Sequence, residues 1–484
     1  MNWKKSLSIV LAAVMFTSLI LRVDNQVYAN EFRTIEDESI YDILIDRFFN
    51  GSGTNDEDAN AKDPTAFNGG DFNGVLAKKD FIKNMGYTIV SLGNVFETNT
   101  YDGSEVTSFT KLESHFGTEE ELQAIIQAYH KSAIRIMVDF PVDLLSTEHE
   151  WFSANEHADW IVSTDDQVFQ LDGQNKQYQE ALKDALRNFL SAYNVDIRLT
   201  NIENMPTSFL NELIDLIKES KKDRYVISNA VSDAKFDAKY DESMVETQRN
   251  VFKSVDQSTE QLLAHIDSNP PTIVMVDSIW SDRFVKYSEL YPPTRVKMAV
   301  LTSLLIPGVP MIQYGTEIAM NGSAGTDAHQ LYNFKTDSEL IEQIKNIQTL
   351  RNSSATLRNG DFEVIKNEDG YVAFTRTSDT EQWLVVINNT SKTKTVELTE
   401  ALIGKGKKIT ALLDTETIRA DKNGVYHVVL DREMIELYQI KEDTGINTSY
   451  LIALGLVYIL FTIFVVMIVK RGRKRRAEDA TISK

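Results

Sequence analysis

The chain contains no cysteine. That excludes a disulfide framework, a thiolate metal centre and a cysteine nucleophile. It is uncommon for a large secreted eukaryotic protein and compatible with a bacterial extracytoplasmic one. Positive charge is also scarce: 50 Lys and Arg stand against 71 Asp and Glu, a net charge of −21. Such an acidic surface argues against nucleic acid as a partner and favours a soluble, self-repelling body. Low-complexity segments and fixed-period repeats are missing too. Long apolar runs occur only at the two ends. What remains is 484 residues with 42% hydrophobic and 10% aromatic content. This is too long for one ordinary domain and ample for a sizeable core beside a smaller module.

The end segments read as membrane signals. Lys4 and Lys5 precede the apolar run Leu7 to Leu21, and Val27-Tyr28-Ala29 offers a cleavage site, so residues 1–29 read as a signal peptide. A retained N-terminal anchor is the other reading of the same run. Near the opposite end, Tyr450 to Val469 carries no charge and is long enough to cross a bilayer. Lys470, Arg471, Arg473, Lys474, Arg475 and Arg476 follow at once. The positive-inside rule makes 470–484 a cytoplasmic tail behind a transmembrane helix over 449–469. The expected location is the cell membrane, single-pass, with the acidic body outside.

The body opens with buried-strand patterns alternating with capped helices, the texture of βα units. Ser39 to Phe49 reads as a first strand, Tyr87 to Phe96 as a second and Ile134 to Phe140 as a third, with Asp139, Asp143 and Ser146 at its end. Gly117-Thr118-Glu119-Glu120-Glu121 is a capping segment ahead of the apolar positions Leu122, Ile125, Ile126 and Tyr129. Helices are expected near Lys78 to Met85, Tyr178 to Tyr193, Met298 to Leu305 and Glu339 to Arg351. From Leu357 the texture changes to short alternating strands separated by turns such as Asp369-Gly370, an antiparallel β module.

Several blocks, in order and at sensible spacing, resemble the α-amylase family of glycoside hydrolases. Asp139, Pro141, Asp143 and Leu144 stand in the family's third-strand pattern, Asp-x-Val-x-Asn-His. Tyr101, Gly103 and Val106 match its Tyr-His-Gly-Tyr-Asp-Val segment, with Asp102 and Ser104 at the second and fourth places. Arg198 is retained on the fourth strand, while Thr200 occupies the nucleophile's place. Asn229 occupies the place of the general acid on the fifth. Asp282-Arg283-Phe284 holds the seventh strand in register and puts Ser278, Ile279 and Trp280 where Asn, His and Asp belong. Pro307 to Glu317 is close to the family's eighth strand as it stands.

The resemblance implies a (β/α)₈ TIM barrel over 30–356 with a reduced inserted domain, and a C-terminal antiparallel β-sandwich domain over 357–443. It also implies a Ca²⁺ site from Asn50, Asn55, Asp56, Gly69 and Asp71; a solvated polar loop is the alternative. Tyr101, Phe109 and Trp280 are candidates to stack on sugars. His149 reads as a loop histidine without a ligand role. Retaining glycoside hydrolysis needs two carboxyls, one nucleophile and one acid/base. Thr200 and Asn229 supply neither, and Asp143 is a weak substitute. The expectation is a cell-surface, membrane-anchored α-amylase-like pseudoenzyme. It would bind carbohydrate, an α-glucan, or scaffold a membrane-protein partner. The alternative is an α-1,4-glucan glycosidase or transglycosidase with an atypical site.

Overall fold

The computed structural model describes residues 33–482, apart from 57, 265–267, 290, 337, 415, 444 and 446–447. The signal-peptide reading of 1–29 lies outside these residues. The chain divides after Gly360 into two compact units.

In the first unit, seven parallel strands are hydrogen-bonded in the order Val226–Ser228, Asp196–Thr200, Arg135–Pro141, Ile89–Ser91, Ile40–Asp42, Val309–Gln313 and Ile273–Val274. Isolated parallel bridges, Ile227 to Ala238 and Lys239 to Thr272, place residues 238–239 in the remaining gap and close the ring. This is a (β/α)₈ barrel. Ile40, Ile89, Met137, Ile227, Ala238, Ile273 and Met311 meet in one buried cluster, so side chains fill the barrel. The capping segment behaves as its residues dictate. Thr118 N–H donates to Glu121 Oε2 (2.8 Å) and Glu121 N–H to Thr118 Oγ1 (3.3 Å). The helix Glu119–His130 then buries Leu122, Ile125, Ile126 and Tyr129.

Three predicted strands are shorter than their apolar runs. The first ends at Asp42, and Ile45–Phe48 is a buried helical turn instead. An apolar run alone cannot separate a buried strand from a buried helical turn. Tertiary contacts decide here: Arg47 Nε donates to the His329 carbonyl (3.0 Å) and Nη2 to the Pro64 carbonyl (2.7 Å). The second strand is Ile89–Ser91. Phe96–Thr98 leaves the barrel and pairs antiparallel with Val106–Leu112. The seventh is only Ile273–Val274, because the chain beyond Val276 turns around Asp277, which accepts from Phe284 N–H (2.6 Å) and Thr316 Oγ1 (2.8 Å). After the third strand, the reduced insertion is a three-stranded antiparallel sheet of Leu144–Ser146, Val168–Leu171 and Ile161–Asp165.

In the second unit, a six-stranded and a two-stranded antiparallel sheet share a core that includes Tyr371, Leu384, Val386, Val396, Leu398, Tyr426 and Val428. This is a β-sandwich. Its first hairpin turns on Asp369 (φ 48°) and Gly370 (φ 81°), the left-handed pair that a two-residue turn with the right twist requires. Thr448–Ile482 is one helix. Its segment Leu451–Arg473 contains an 18-residue stretch with a mean hydropathy of 3.0 and no buried residue, and is long and apolar enough to cross a membrane.

Candidate active site

The C-terminal ends of the strands carry the candidate residues, and Arg198 lies at their centre. Its guanidinium is almost completely buried. Nε and Nη2 donate to the two oxygens of Asp139 (2.7 and 2.8 Å), while Nη1 lies 3.1 Å from Asp42 Oδ1. The strand register explains the meeting: Arg198 is opposite Asp139 on the neighbouring strand, and a parallel pair projects both side chains to the same face. Burial pushes the Asp139 carboxyl up, opposed by the Arg198 charge. The guanidinium is therefore already committed to two carboxylates. Asp42 and Asp139 were not singled out by the family motifs as part of a charge cluster. Asp139 stood at the end of a predicted strand, whereas Asp42 lay inside the predicted first strand and carried no such signal.

Around this cluster stand the three residues expected in the catalytic places. Thr200 follows Arg198 by two on the same strand and is buried. Asn229 is half-buried, and its Oδ1 has no hydrogen-bond partner among the described residues. Trp280 is 51% exposed, with the Arg198 guanidinium 5.5 Å from its ring centroid. The loop that carries it is tied down by a residue that sequence reasoning missed. His329 Nε2 lies 2.6 Å from the Ile279 carbonyl and Nδ1 lies 2.8 Å from Tyr101 Oη. A carbonyl accepts only, so Nε2 carries the proton and Tyr101 donates to Nδ1.

The candidate stacking residues separate. Tyr101 is buried, with the Arg47 guanidinium 3.7 Å over its ring, and burial pushes its hydroxyl up to about 12. Phe109 cannot serve as a sugar platform. Its ring is buried and stacked on Phe140 (4.9 Å), with Phe96 and His149 against its edges. A hairpin strand, not an open loop, carries it, and strand alternation turns it into the core. Of the three, Trp280 alone presents a largely exposed ring.

Three further carboxylates are engaged: Asp143 and Asp277 beyond the C-terminal ends of their strands, and Asp196 at the opposite end of its strand. Asp143 accepts from Leu171 N–H (3.1 Å) and Asn204 Nδ2 (2.8 Å), pinning the small sheet to the third strand, and burial raises its pKa. Asp196 receives Arg135 Nε (2.7 Å) and Tyr225 N–H (2.8 Å). Asp277 holds the turn described above. These bonds favour structural roles.

His149 is buried among Phe109, Trp151 and Phe152, and accepts from Trp151 N–H at Nδ1 (3.2 Å). Burial lowers its pKa to about 3. The unfolded chain takes up that proton near pH 6.5. The contribution of neutral His149 is thus fully present above about pH 6.5 and is lost as pH falls toward 3. The variant His149→Gln is expected to lose less stability than the unmodified protein between pH 6.5 and 4 in denaturant titrations. Parallel curves contradict this.

In the loop of the expected cation site, Asn50 Nδ2 donates to Asp56 Oδ2 (2.6 Å), and Asn55 Nδ2 donates to the His115 carbonyl. Asn55 Oδ1 and Asp56 Oδ1 are buried without hydrogen-bond partners among the described residues. Gly69 packs against Asp56: a Cβ there would meet Asp56 Oδ1 at 2.7 Å and Asn50 Nδ2 at 2.6 Å. Two orphaned oxygens of the right chemistry fit a hard cation. Asp71 is occupied otherwise, accepting from the backbone N–H groups of Gly51 (3.1 Å), Ser52 (2.7 Å) and Gly74 (2.5 Å) as a helix N-cap.

Comparison with known proteins follows the same lines. Residues 42–194 match the α-amylase catalytic domain, and 360–438 match the α-amylase C-terminal domain. The crystal structure of an Anoxybacillus α-amylase is 30% identical with a TM-score of 0.81, covering 86% of this chain and 100% of that one. The α-amylase of Geobacillus thermoleovorans, solved with acarbose, is 30% identical with a TM-score of 0.80, covering 85% and 100%. The β/α-amylase of Paenibacillus polymyxa is 24% identical over 83% of this chain, which spans only 38% of that longer protein. A shared barrel and sandwich, the matched domains and 30% identity over a whole relative lead to one conclusion: the chain belongs to the α-amylase family of glycoside hydrolases.

Proposed function

We propose that this is a membrane-anchored, catalytically inactive α-amylase-like protein whose barrel mouth binds α-glucan. The observation that carries the reading is the mouth itself. Thr200, Asn229 and Trp280 stand in the three carboxylate places, and Arg198 is taken up by Asp42 and Asp139. An alcohol and an amide cannot act as glycosyl-ester nucleophile and proton donor at the pKa values the reaction needs. An exposed indole over a buried guanidinium can still stack on a sugar face. Purified full-length protein is expected to bind maltooligosaccharides without cleaving them, as read by calorimetry and product analysis on one sample. Absence of binding would leave the mouth as a scaffold surface for a membrane-protein partner.

The anchoring reading rests on the apolar helix and the basic residues after it. Protease added to intact bacterial cells is expected to digest the barrel and sandwich and to spare the tail; a protected body sinks the proposed orientation.

Ca²⁺ is proposed between Asn50, Asn55, Asp56 and Gly69, where it would cross-link the loop after the first strand. A ligand that binds only the folded state raises its melting temperature. Chelation is therefore expected to lower the melting point of the unmodified protein, and the Asp56→Asn variant is expected to be indifferent to chelator. An unchanged melting point in the unmodified protein makes this a plain polar loop.

A further inference from the structure

The interior charge cluster does not balance. Asp42 and Asp139 both face Arg198, and no second cation approaches either carboxylate among the described residues. Two carboxylates against one guanidinium leave one surplus negative charge inside the barrel, where an uncompensated charge is costly.

Beside it is a set of polar atoms with nothing to bond. Asp42 is in register with Ser91 on one side and Gln313 on the other, across three adjacent parallel strands. Side chains at matched register on neighbouring strands project to the same face, about 4.8 Å apart. That face is the barrel interior, because Arg198, which lies against Asp42, also reaches Met311 Sδ (3.9 Å) two residues before Gln313. Asp42, Ser91 and Gln313 are all at least 98% buried. Among the described residues Ser91 Oγ and both polar atoms of the Gln313 amide lack hydrogen-bond partners, and the one partner of Asp42 Oδ1 is the Arg198 guanidinium at 3.1 Å.

We propose that the row Asp42, Ser91 and Gln313 binds a small monovalent cation, sodium, inside the barrel. The chemistry selects the ligand class. The donors are oxygens only: a carboxylate, a hydroxyl and an amide oxygen, which suit a hard cation and not a soft or nitrogen-seeking one. One surplus charge is neutralised by a monovalent ion, whereas a divalent ion would leave the cluster positive beside Arg198. A proton on Asp42 would balance the charge and could donate to one of the two neighbouring oxygens, whereas a cation is ligated by Ser91 Oγ and the Gln313 oxygen together. This site is separate from the Asn50–Gly69 loop and independent of whether the mouth binds glucan.

The test uses the full-length chain in a non-sugar detergent, saturated with Ca²⁺ so that the loop site is silent. Melting is followed at constant ionic strength as choline chloride, whose cation is too large for a buried oxygen row, is exchanged for sodium chloride. The unmodified protein is expected to gain about 3 °C in sodium. Asp42→Asn is expected to melt identically in both salts. Ser91→Ala keeps the charge and loses a donor, so it should need about tenfold more sodium for half of the gain. Excess ²³Na relaxation should accompany the unmodified protein and vanish in Asp42→Asn. Identical melting of the unmodified protein in the two salts overturns the proposal, as does a sodium gain that survives in Asp42→Asn. A gain on acidification with no sodium effect assigns the balance to a proton and also overturns it. Should Asp42→Asn fail to fold, Ser91→Ala and the ²³Na signal of the unmodified protein decide, and absence of excess relaxation overturns the site.

Discussion

Starch and maltooligosaccharides incubated with the purified protein are expected to remain uncleaved, and restoring single carboxylates is expected to change almost nothing. Residues of a catalytic unit act together, so losing one removes most of the rate and the others then add little. The effect at stake is several orders of magnitude. Thr200→Asp alone is predicted to fail for a second reason specific to this barrel. The new carboxyl would face Arg198, which Asp42 and Asp139 already hold. A third carboxyl beside a cluster that already carries surplus negative charge is held protonated, and a protonated acid is not a nucleophile. Asn229→Glu alone restores a proton donor with no partner. The double variant still meets Trp280, whose indole stands over Arg198 where a third carboxylate belongs. The reading is wrong if the unmodified protein hydrolyses α-glucan at a rate abolished by Asp139→Asn, Asp143→Asn or Asp277→Asn. Each of those outcomes would identify a relocated catalytic carboxylate.

Arg198→Met is expected to be among the most destabilising single substitutions in the barrel. It removes the cation between two buried carboxylates without removing the carboxylates, and breaking a buried pair from one side costs about 3–5 kcal/mol. The measurement is the midpoint of urea denaturation at unchanged slope. The triple variant Arg198→Met, Asp42→Asn, Asp139→Asn should recover much of that loss, because replacing every buried charge together leaves none unpaired. For contrast, Arg187 and Asp184 pair on an exposed helix face, and Arg187→Ala is expected to shift stability by less than about 1 kcal/mol. If Arg198→Met proves as mild as Arg187→Ala, the cluster is not the electrostatic centre of the fold.

Much of this molecule was legible before any coordinate. The capping residues Thr118 and Glu121, the 3.6-residue spacing of Leu122, Ile125, Ile126 and Tyr129, and the Asp369-Gly370 turn act over a few residues, so local chemistry suffices to place them. The residues proposed to stand in the catalytic places, Thr200, Asn229 and Trp280, were legible for the same reason: short blocks with Arg198 and Asp282-Arg283-Phe284 as neighbours set the register of the comparison. Strand ends were not, because an apolar run such as Ser39 to Phe49 has the same composition whether it continues as strand or coils into a turn. Arg47, bonded to carbonyls seventeen and more residues away, settled it.

Phe109 was misplaced because sequence shows that a ring is present and not which way its strand faces. The charge cluster of the interior was equally invisible. Asp42, Asp139 and Arg198 lie on three strands far apart in sequence, and only closure of the barrel brings two carboxylates onto one guanidinium. Short stretches of chain specified the elements, their order and the residues that stand in the strand-end blocks. Only the tertiary structure decided which charges meet, because burial and long-range register set the strength of a Coulomb interaction, and neither is a property of a short stretch of chain.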